Sequence, residues 1–289
     1  MPDISVIIPH FNDLKRLDIC LAAIAAQSVP AARFEVIVAD NASPIDDATL
    51  AAAVAGRARI VIATEKGAGP ARNAGVAASH GAILAFTDCD CLPGPDWLKA
   101  GIAALSTADV VGGRMVVSVG DERRMTGAEA FERVFAFDNR AYVQTKGFSV
   151  TANLFCRRAT FDAVGPFRTG VSEDVDWCHR ARAAGYRLGY AEHAIVSHPA
   201  RADWVELKRK WARMNSEGFG LAVARRHGRL RWLARAAMLP ASIVGHAPRV
   251  VTSAALPDGK ARVAALAMLA RIRLWRAADA LALGLGLRR

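Results

Sequence analysis

Acidic residues nearly vanish from the last ninety positions of this 289-residue chain. Residues 200–289 carry 5 Asp or Glu against 18 Lys or Arg, whereas residues 1–199 carry 22 against 20. The basic excess behind the formal net charge of +11 therefore lies entirely in the tail, and the chain has two electrostatic parts. Long apolar runs are missing as well. The C-terminal third has no uncharged stretch longer than residues 236–248, short of the roughly 17–25 residues that a bilayer-spanning helix needs. The N-terminal "MPDISVIIPH" enters strand-like sequence without a basic region, a long apolar segment or a cleavage site, so no export signal is expected. Five cysteines, an odd number without disulfide-rich spacing, exclude a stapled secreted scaffold and favour a reducing compartment, most simply the cytoplasm. There is no internal repeat, and the only compositional bias is toward Ala.

The first hundred residues alternate short, continuously apolar runs with amphipathic stretches. Strands are predicted over 4–9 ("ISVIIP"), 34–40 ("FEVIVAD"), 59–63 ("RIVIA") and 83–88 ("ILAFTD"). Helices are predicted over 14–27, within 46–55, and from Pro70, a residue favoured at the first helical position. Apolar strands separated by helices indicate a parallel sheet covered on both faces. After a helix over 97–106 the rhythm becomes mixed: a longer strand in "DVVGGRMVVSVG", a helix over 126–136, a short strand in "NLFCRR", a helix over 173–184 and a strand in "YRLGYA". From Asp203 onward helices dominate, over 203–218, 221–227, 230–244 and 262–283.

Ligands of an open parallel sheet bind beyond the carboxyl ends of its strands. Asp40 ends the second strand and Asp88 the fourth. In "TDCDC" the carboxylates Asp88 and Asp90 suit a hard divalent cation such as Mg²⁺ or Mn²⁺. A zinc–thiolate site is weaker, because the other cysteines lack paired spacing, and a solvated polar turn stays open for the tetrapeptide alone. "KGAGPARNAG" is a Gly-containing loop running into a helix, with Lys66 and Arg72 placed to attract phosphate. It is not the dinucleotide fingerprint, which belongs after the first strand. "VSEDVDWCHRARAAGY" opens a helix with Glu173, Asp174 and Asp176. Acids there stabilise the helix dipole, or one of them serves as a general base.

In order, "PHFND", "ADNAS", "KGAGPARNAG", "FTDCDC", "TANLFCRR" and "SEDVDW" together resemble the family 2 glycosyltransferases, over residues 4–198. The resemblance implies a GT-A fold of the α/β class: a Rossmann-like, mostly parallel sheet with helices on both faces, here with a C-terminal helical extension. It implies a catalytic domain over 1–199, with a nucleotide-sugar half (1–106) and an acceptor half (107–199), and a basic amphipathic extension over 200–289. By position, Phe11 would lie against the nucleotide base and Asp40 would hydrogen-bond it, with Pro9, Asn41, Lys66 and Arg72 shaping the pocket. Asp88 would contact the ribose and metal region, Asp90 would coordinate the cation, and His198 in "IVSHP" would add a metal or diphosphate contact. Asp174 would be the base, with Glu173, Trp177 and Asn153 toward the acceptor. Cys89 and Cys91 read as small residues packing around the metal turn.

The implied activity is inverting, Mn²⁺- or Mg²⁺-dependent transfer of one sugar from a nucleotide-sugar to a glycan or lipid-linked acceptor, as in bacterial-type cell-surface or exopolysaccharide synthesis. Its rivals are a nucleotidyltransferase of similar fold and a non-catalytic nucleotide-sugar-binding or scaffold protein. Processive members carry a Gln/Arg-x-x-Arg-Trp motif, where this chain has "LKRKWARM" with Leu207 and Lys210, and processivity is not expected. Arg and Lys interleaved with Leu, Ala and Trp over 200–289 suit an anionic membrane surface, which would make the protein cytoplasmic and peripheral to the membrane; the alternative is a helical bundle packed on the catalytic domain with a solvated basic face. No nucleic-acid partner is expected.

Overall fold

The computed structural model describes residues 2–288. Its sheet has eight strands: β1 (Ile4–His10), β2 (Phe34–Asp40), β3 (Arg59–Ile62), β4 (Ile83–Phe86), β5 (Leu92–Pro93), β6 (Val110–Ser118), β7 (Leu154–Arg157) and β8 (Leu188–Pro199). They lie in the order β3-β2-β1-β4-β7-β6-β8-β5. The four strands read from continuous apolar runs form the parallel part, with Ile7 opposite Ile37 on one side and Phe86 on the other. β7 then runs antiparallel to both β4 and β6, so the second half is mixed as its sequence rhythm implies. The fold is α/β of the expected kind.

The helices are α1 (Leu14–Ala25), α2 (Asp47–Val54), α3 (Ala68–Ala78), α4 (Trp97–Ala104), α5 (Gly127–Phe135), the single turn α6 (Asn139–Ala141), α7 (Arg158–Val164), α8 (Glu173–Ala183), α9 (Trp204–Val223), α10 (Gly228–Met238), α11 (Ser242–Val251) and α12 (Gly259–Leu285). Local chemistry fixes their starts. Asp13, Asp46 and Asp258 accept bonds from backbone N–H groups in the first turns of α1, α2 and α12, and Thr126 with Glu129 forms a capping box on α5. α3 opens two residues before Pro70, because Gly67 at φ 127° supplies the entry turn that a side chain would resist. Two predicted tail helices merge into the twenty residues of α9, and the predicted 230–244 helix ends at Met238, just before Pro240.

The chain forms two compact units. One comprises the chain up to Val116 with Asp138–Thr169 and Glu173–His198. Its core joins Ile7, Ile37, Leu84 and Phe86 of the sheet to Phe161, Phe167 and Trp177. The other comprises Val117–Phe137, Gly170–Ser172 and the chain from Pro199 onward. There Ala128, Phe131 and Val134 of α5 pack with Leu207, Val250, Ala265, Leu269 and Ile272. α5, which lies within the expected 1–199 domain, packs with the tail here, since its apolar stripe is buried among tail helices. Its Glu132, 1 % exposed, is held by Lys210 Nζ at 2.7 Å and by Arg201. These cations keep the carboxyl charged, its pKa lowered although burial alone would raise it.

Candidate active site

In the first unit the order of strand addition reverses at β1, with β2 and β3 on one side and β4 on the other. The crevice beyond these strand ends is where an open α/β sheet binds ligands. Phe11 follows β1 with its ring 58 % exposed, a flat apolar face available to a base. Asp40 ends β2 almost fully buried. It accepts from His10 Nδ1 at 2.7 Å, Ser43 Oγ at 2.6 Å and Ser43 N–H at 2.9 Å. Burial works to raise its pKa, but these bonds overturn that and lower it. His10 Nε2 accepts from Asp13 N–H at 3.1 Å, so the ring carries its proton on Nδ1. Asp40 therefore organises the turn under the crevice with both oxygens engaged.

Asn41 likewise turns inward. Its amide donates to the carbonyls of Ala63 and Glu65, and its oxygen accepts from Gly67 N–H at 2.8 Å. It ties the end of β2 to the Gly-containing loop rather than meeting a ligand directly. Pro9 sits in β1 one residue before its end, and Lys66 is exposed on the loop.

Arg72 is the hub of the site. Its guanidinium, 3 % exposed, donates to Asp88 Oδ1 at 2.6 Å and to Glu173 Oε1 at 2.8 Å. It thereby connects the turn after β4 to the first turn of α8, two segments 85 residues apart in sequence, and stays charged between its carboxylates. Arg72 thus holds the carboxylates of Asp88 and Glu173, with Asp88 Oδ1 on its guanidinium. Beside Glu173, burial and then the neighbouring Glu173 carboxylate push the Asp174 carboxyl up to about 7, the range that suits a general base near neutrality.

The cation donors begin two residues beyond Asp88. Asp90 Oδ2 is 3.3 Å from His198 Nε2, and Cys91 Sγ is 3.7 Å from Asp90 Oδ1. The ligand atoms of Asp90, Cys91 and His198 all lie within 4.8 Å of one another. Oxygen and imidazole donors in this arrangement fit a divalent first-row cation. Sequence reading missed Cys91 as a member of this group. Its signal was present in "DCDC", where a thiol directly follows the second carboxylate.

Trp177 and Asn153, expected at the acceptor, are built into the interior. Trp177 is 0 % exposed, stacked on Phe161 and packed on Phe167, with its indole N–H bonded to the Gly165 carbonyl. Asn153, also 0 % exposed, accepts from Trp97 Nε1 at 2.9 Å and donates to the Arg114 and Ala194 carbonyls. Both side chains belong to the interior of the first unit. Trp177→Ala is expected to cost about 3–5 kcal/mol of stability, with Trp177→Phe milder, as measured by urea unfolding. A loss under about 1 kcal/mol for the alanine variant would return the residue to the acceptor side.

The "Glycosyl transferase family 2" model matches residues 5–171. Glycosyltransferase AglE of Haloferax volcanii is 35 % identical over 222 residues, which are 73 % of this chain and 71 % of AglE. A pre-mycofactocin glycosyltransferase of Mycobacterium tuberculosis is 30 % identical over 71 % of this chain and 45 % of its own length. Among solved structures, the mannosyltransferase PcManGT of Pyrobaculum calidifontis, in complex with GDP-Man and Mn²⁺, superposes with a TM-score of 0.63 at 21 % identity, covering 100 % of this chain and 88 % of that one. Residues 1–349 of Staphylococcus aureus TarS with UDP-GlcNAc give 0.54 at 17 % identity, covering 97 % and 88 %.

Proposed function

From the membership of this chain in glycosyl transferase family 2, we propose an inverting transferase that moves one sugar from a nucleotide-sugar to a hydroxyl of a glycan or lipid-linked acceptor. The observation that carries this reading is the Arg72 bridge. It sets the Asp174 end of α8 beside the turn bearing Asp90, which supports a base and a cation site sharing one crevice. GDP-Man in PcManGT and UDP-GlcNAc in TarS support a nucleotide-sugar as donor.

Phe11 offers its exposed ring to the base, while Asp40 and Asn41 hold the loops around the pocket that Pro9 and Lys66 border. Asp90 and His198 would hold the divalent cation, Mn²⁺ or Mg²⁺, which when bound supplies positive charge against the leaving diphosphate. The acceptor oxygen attacks the anomeric carbon as the bond to the diphosphate breaks, and Asp174 takes the hydroxyl proton. A single displacement inverts the anomeric centre and needs one base, with no second nucleophilic carboxylate. The direct test is Mn²⁺-dependent thermal stabilisation by a panel of nucleotide-sugars, followed by slow hydrolysis of the donor that stabilises most. A bound ligand stabilises in proportion to the logarithm of its saturation. Stabilisation by none of them would remove the proposal.

The second unit supports a peripheral position on anionic membrane, in the cytoplasm. Among the described residues no helix is long and apolar enough to cross a membrane. The α12 arginines that the sequence offers to lipid are committed elsewhere. Arg271 stacks over Trp204 at 4.1 Å and Arg276 over Trp211 at 3.8 Å, and burial lowers Arg276 to about 9. α10 and α11 fit better. Leu230, Met238, Val244 and Val251 are 54–78 % exposed, Arg225, Arg226, Arg231 and Arg235 are exposed with them, and no acidic residue occurs between Glu217 and Asp258. At about 1 kcal/mol per basic residue, reversing Arg225, Arg226 and Arg231 to Glu should weaken binding to phosphatidylserine vesicles at least ~100-fold, with turnover of a water-soluble acceptor unchanged. Equal vesicle binding by mutant and wild type at low salt would remove the membrane from the reading.

A further inference from the structure

The register of the sheet edge places a thiol in the cation site. β5 pairs antiparallel with β8, with Leu92 opposite Ser197 and Pro93 opposite Val196. One step further along the same register sets Cys91 opposite His198. The turn that delivers Cys91 is closed by its own N–H, which donates to the Asp88 carbonyl at 3.0 Å, and the side chain is wholly buried. Asp90, its neighbour in the chain, projects one oxygen to each partner: Oδ1 lies 3.7 Å from Cys91 Sγ and Oδ2 3.3 Å from His198 Nε2.

The donor types discriminate between cations. Zinc binds thiolate at about 2.3 Å and imidazole or carboxylate at about 2.0–2.2 Å. The observed 3.3 and 3.7 Å run to different oxygens of Asp90, and one ligand atom from each of the three residues lies within 4.8 Å of the others, so a bound ion draws the group together. Mg²⁺ takes oxygen ligands and has no use for the sulfur, whereas a thiolate, an imidazole and a carboxylate together select Zn²⁺ over Mg²⁺ or Mn²⁺. Three protein ligands also leave a fourth position open.

We propose that Asp90, Cys91 and His198 form a thiophilic cation site, which takes Zn²⁺ through the Cys91 sulfur and competes there with the hard cation serving the donor diphosphate. The proposal rests on the donor-site reading above for the competition, and on geometry alone for the binding. When Zn²⁺ enters, the metal–sulfur bond replaces the S–H bond and the thiol proton leaves to solvent. Cys89, the other thiol of the turn, lies outside the ligand group and serves as the control.

The test uses the full chain with Co²⁺ as a spectroscopic substitute for Zn²⁺. Wild type and Cys89→Ser should develop a thiolate-to-cobalt charge-transfer band in the near ultraviolet, and Cys91→Ser should lack it. Zn²⁺ affinity, read by competition with a chromophoric chelator, should fall at least about tenfold in Cys91→Ser. Adding Zn²⁺ to wild type should lower its Mn²⁺-dependent donor binding, as competition for a shared site requires. X-ray absorption of Zn²⁺-loaded wild type, which needs no variant, should show a sulfur shell at about 2.3 Å. A shell of only nitrogen and oxygen, or a charge-transfer band that survives Cys91→Ser, overturns the proposal. Failure of Mn²⁺-dependent donor binding in wild type with the sulfur shell present would overturn the donor reading and the competition while leaving the thiophilic site in place.

Discussion

Asp174→Asn is expected to lower kcat by about 10²–10⁴-fold while Mn²⁺-dependent nucleotide-sugar affinity stays near wild type. The amide keeps the shape of the carboxyl and removes its ability to take the acceptor's proton. Because burial and the Glu173 charge raise the Asp174 carboxyl to about 7, the wild-type kcat/KM should climb through the acid range and level off above pH 7. The Asn variant should lose that limb. The same shift sets a stability trend of known sign. A carboxyl whose folded pKa is raised above its ordinary 3.8 binds its proton more tightly in the folded state, so its effect on stability worsens as pH rises from about 4 to about 7. Asp174→Asn should therefore flatten the fall in Tm across that window. Glu173→Gln is the informative partner. Its carboxylate is held by Arg72 at 2.8 Å, so its loss should be milder in kcat, and removing its charge should move the acid limb to lower pH. The reverse ranking in kcat, at unchanged donor affinity, would transfer the base role to Glu173.

Local signals carried the first half of the fold. Strands β1, β2 and β4 are largely buried while the edge strand β3 is partly exposed, and their continuous apolar runs announced a covered parallel sheet. The second half was less legible because its pairings are long-range. Nothing in "NLFCRR" says that Phe155 will face both Ala85 and Val111, and α5 shows an apolar stripe without naming its partner.

The site divides in the same way. Asp90 and His198 came together where motif order put them, while Arg72 needed a contact 101 residues away to be understood. Trp177 had a readable warning. Trp177, Cys178 and Ala181 form one buried helical stripe, spaced from Asp174 by the helical repeat, and an apolar stripe behind an acidic first turn belongs to a core. The expected acceptor role of Trp177 comes from the family resemblance, not from that periodicity. Asp40 and Asn41 were recognised as important, but a buried polar group must find partners, and theirs are the protein's own loops.

Asp90→Ala should reduce sugar transfer to background and abolish the Mn²⁺ dependence of donor binding in isothermal titration. The carboxylate is the link between His198 and the rest of the cation site, and Asp88 cannot replace it while Arg72 holds Asp88 Oδ1 at 2.6 Å. The two aspartates should therefore fail differently. Asp90 is partly exposed, and its truncation should change the unfolding free energy by less than about 1 kcal/mol. Asp88→Ala deprives a buried guanidinium of one of its two carboxylates, and with the Asp88 side chain 30 % exposed the cost should be about 1–3 kcal/mol. The same change leaves Arg72 free to draw Glu173 and α8 out of place, so its loss of activity should appear mainly in kcat, with Mn²⁺ still bound. Donor titrations and urea unfolding of both variants separate these outcomes. If Asp88→Ala lost the cation at wild-type stability and Asp90→Ala kept it, the metal would belong to the first aspartate of the turn, and Arg72 would have to release it when the donor binds.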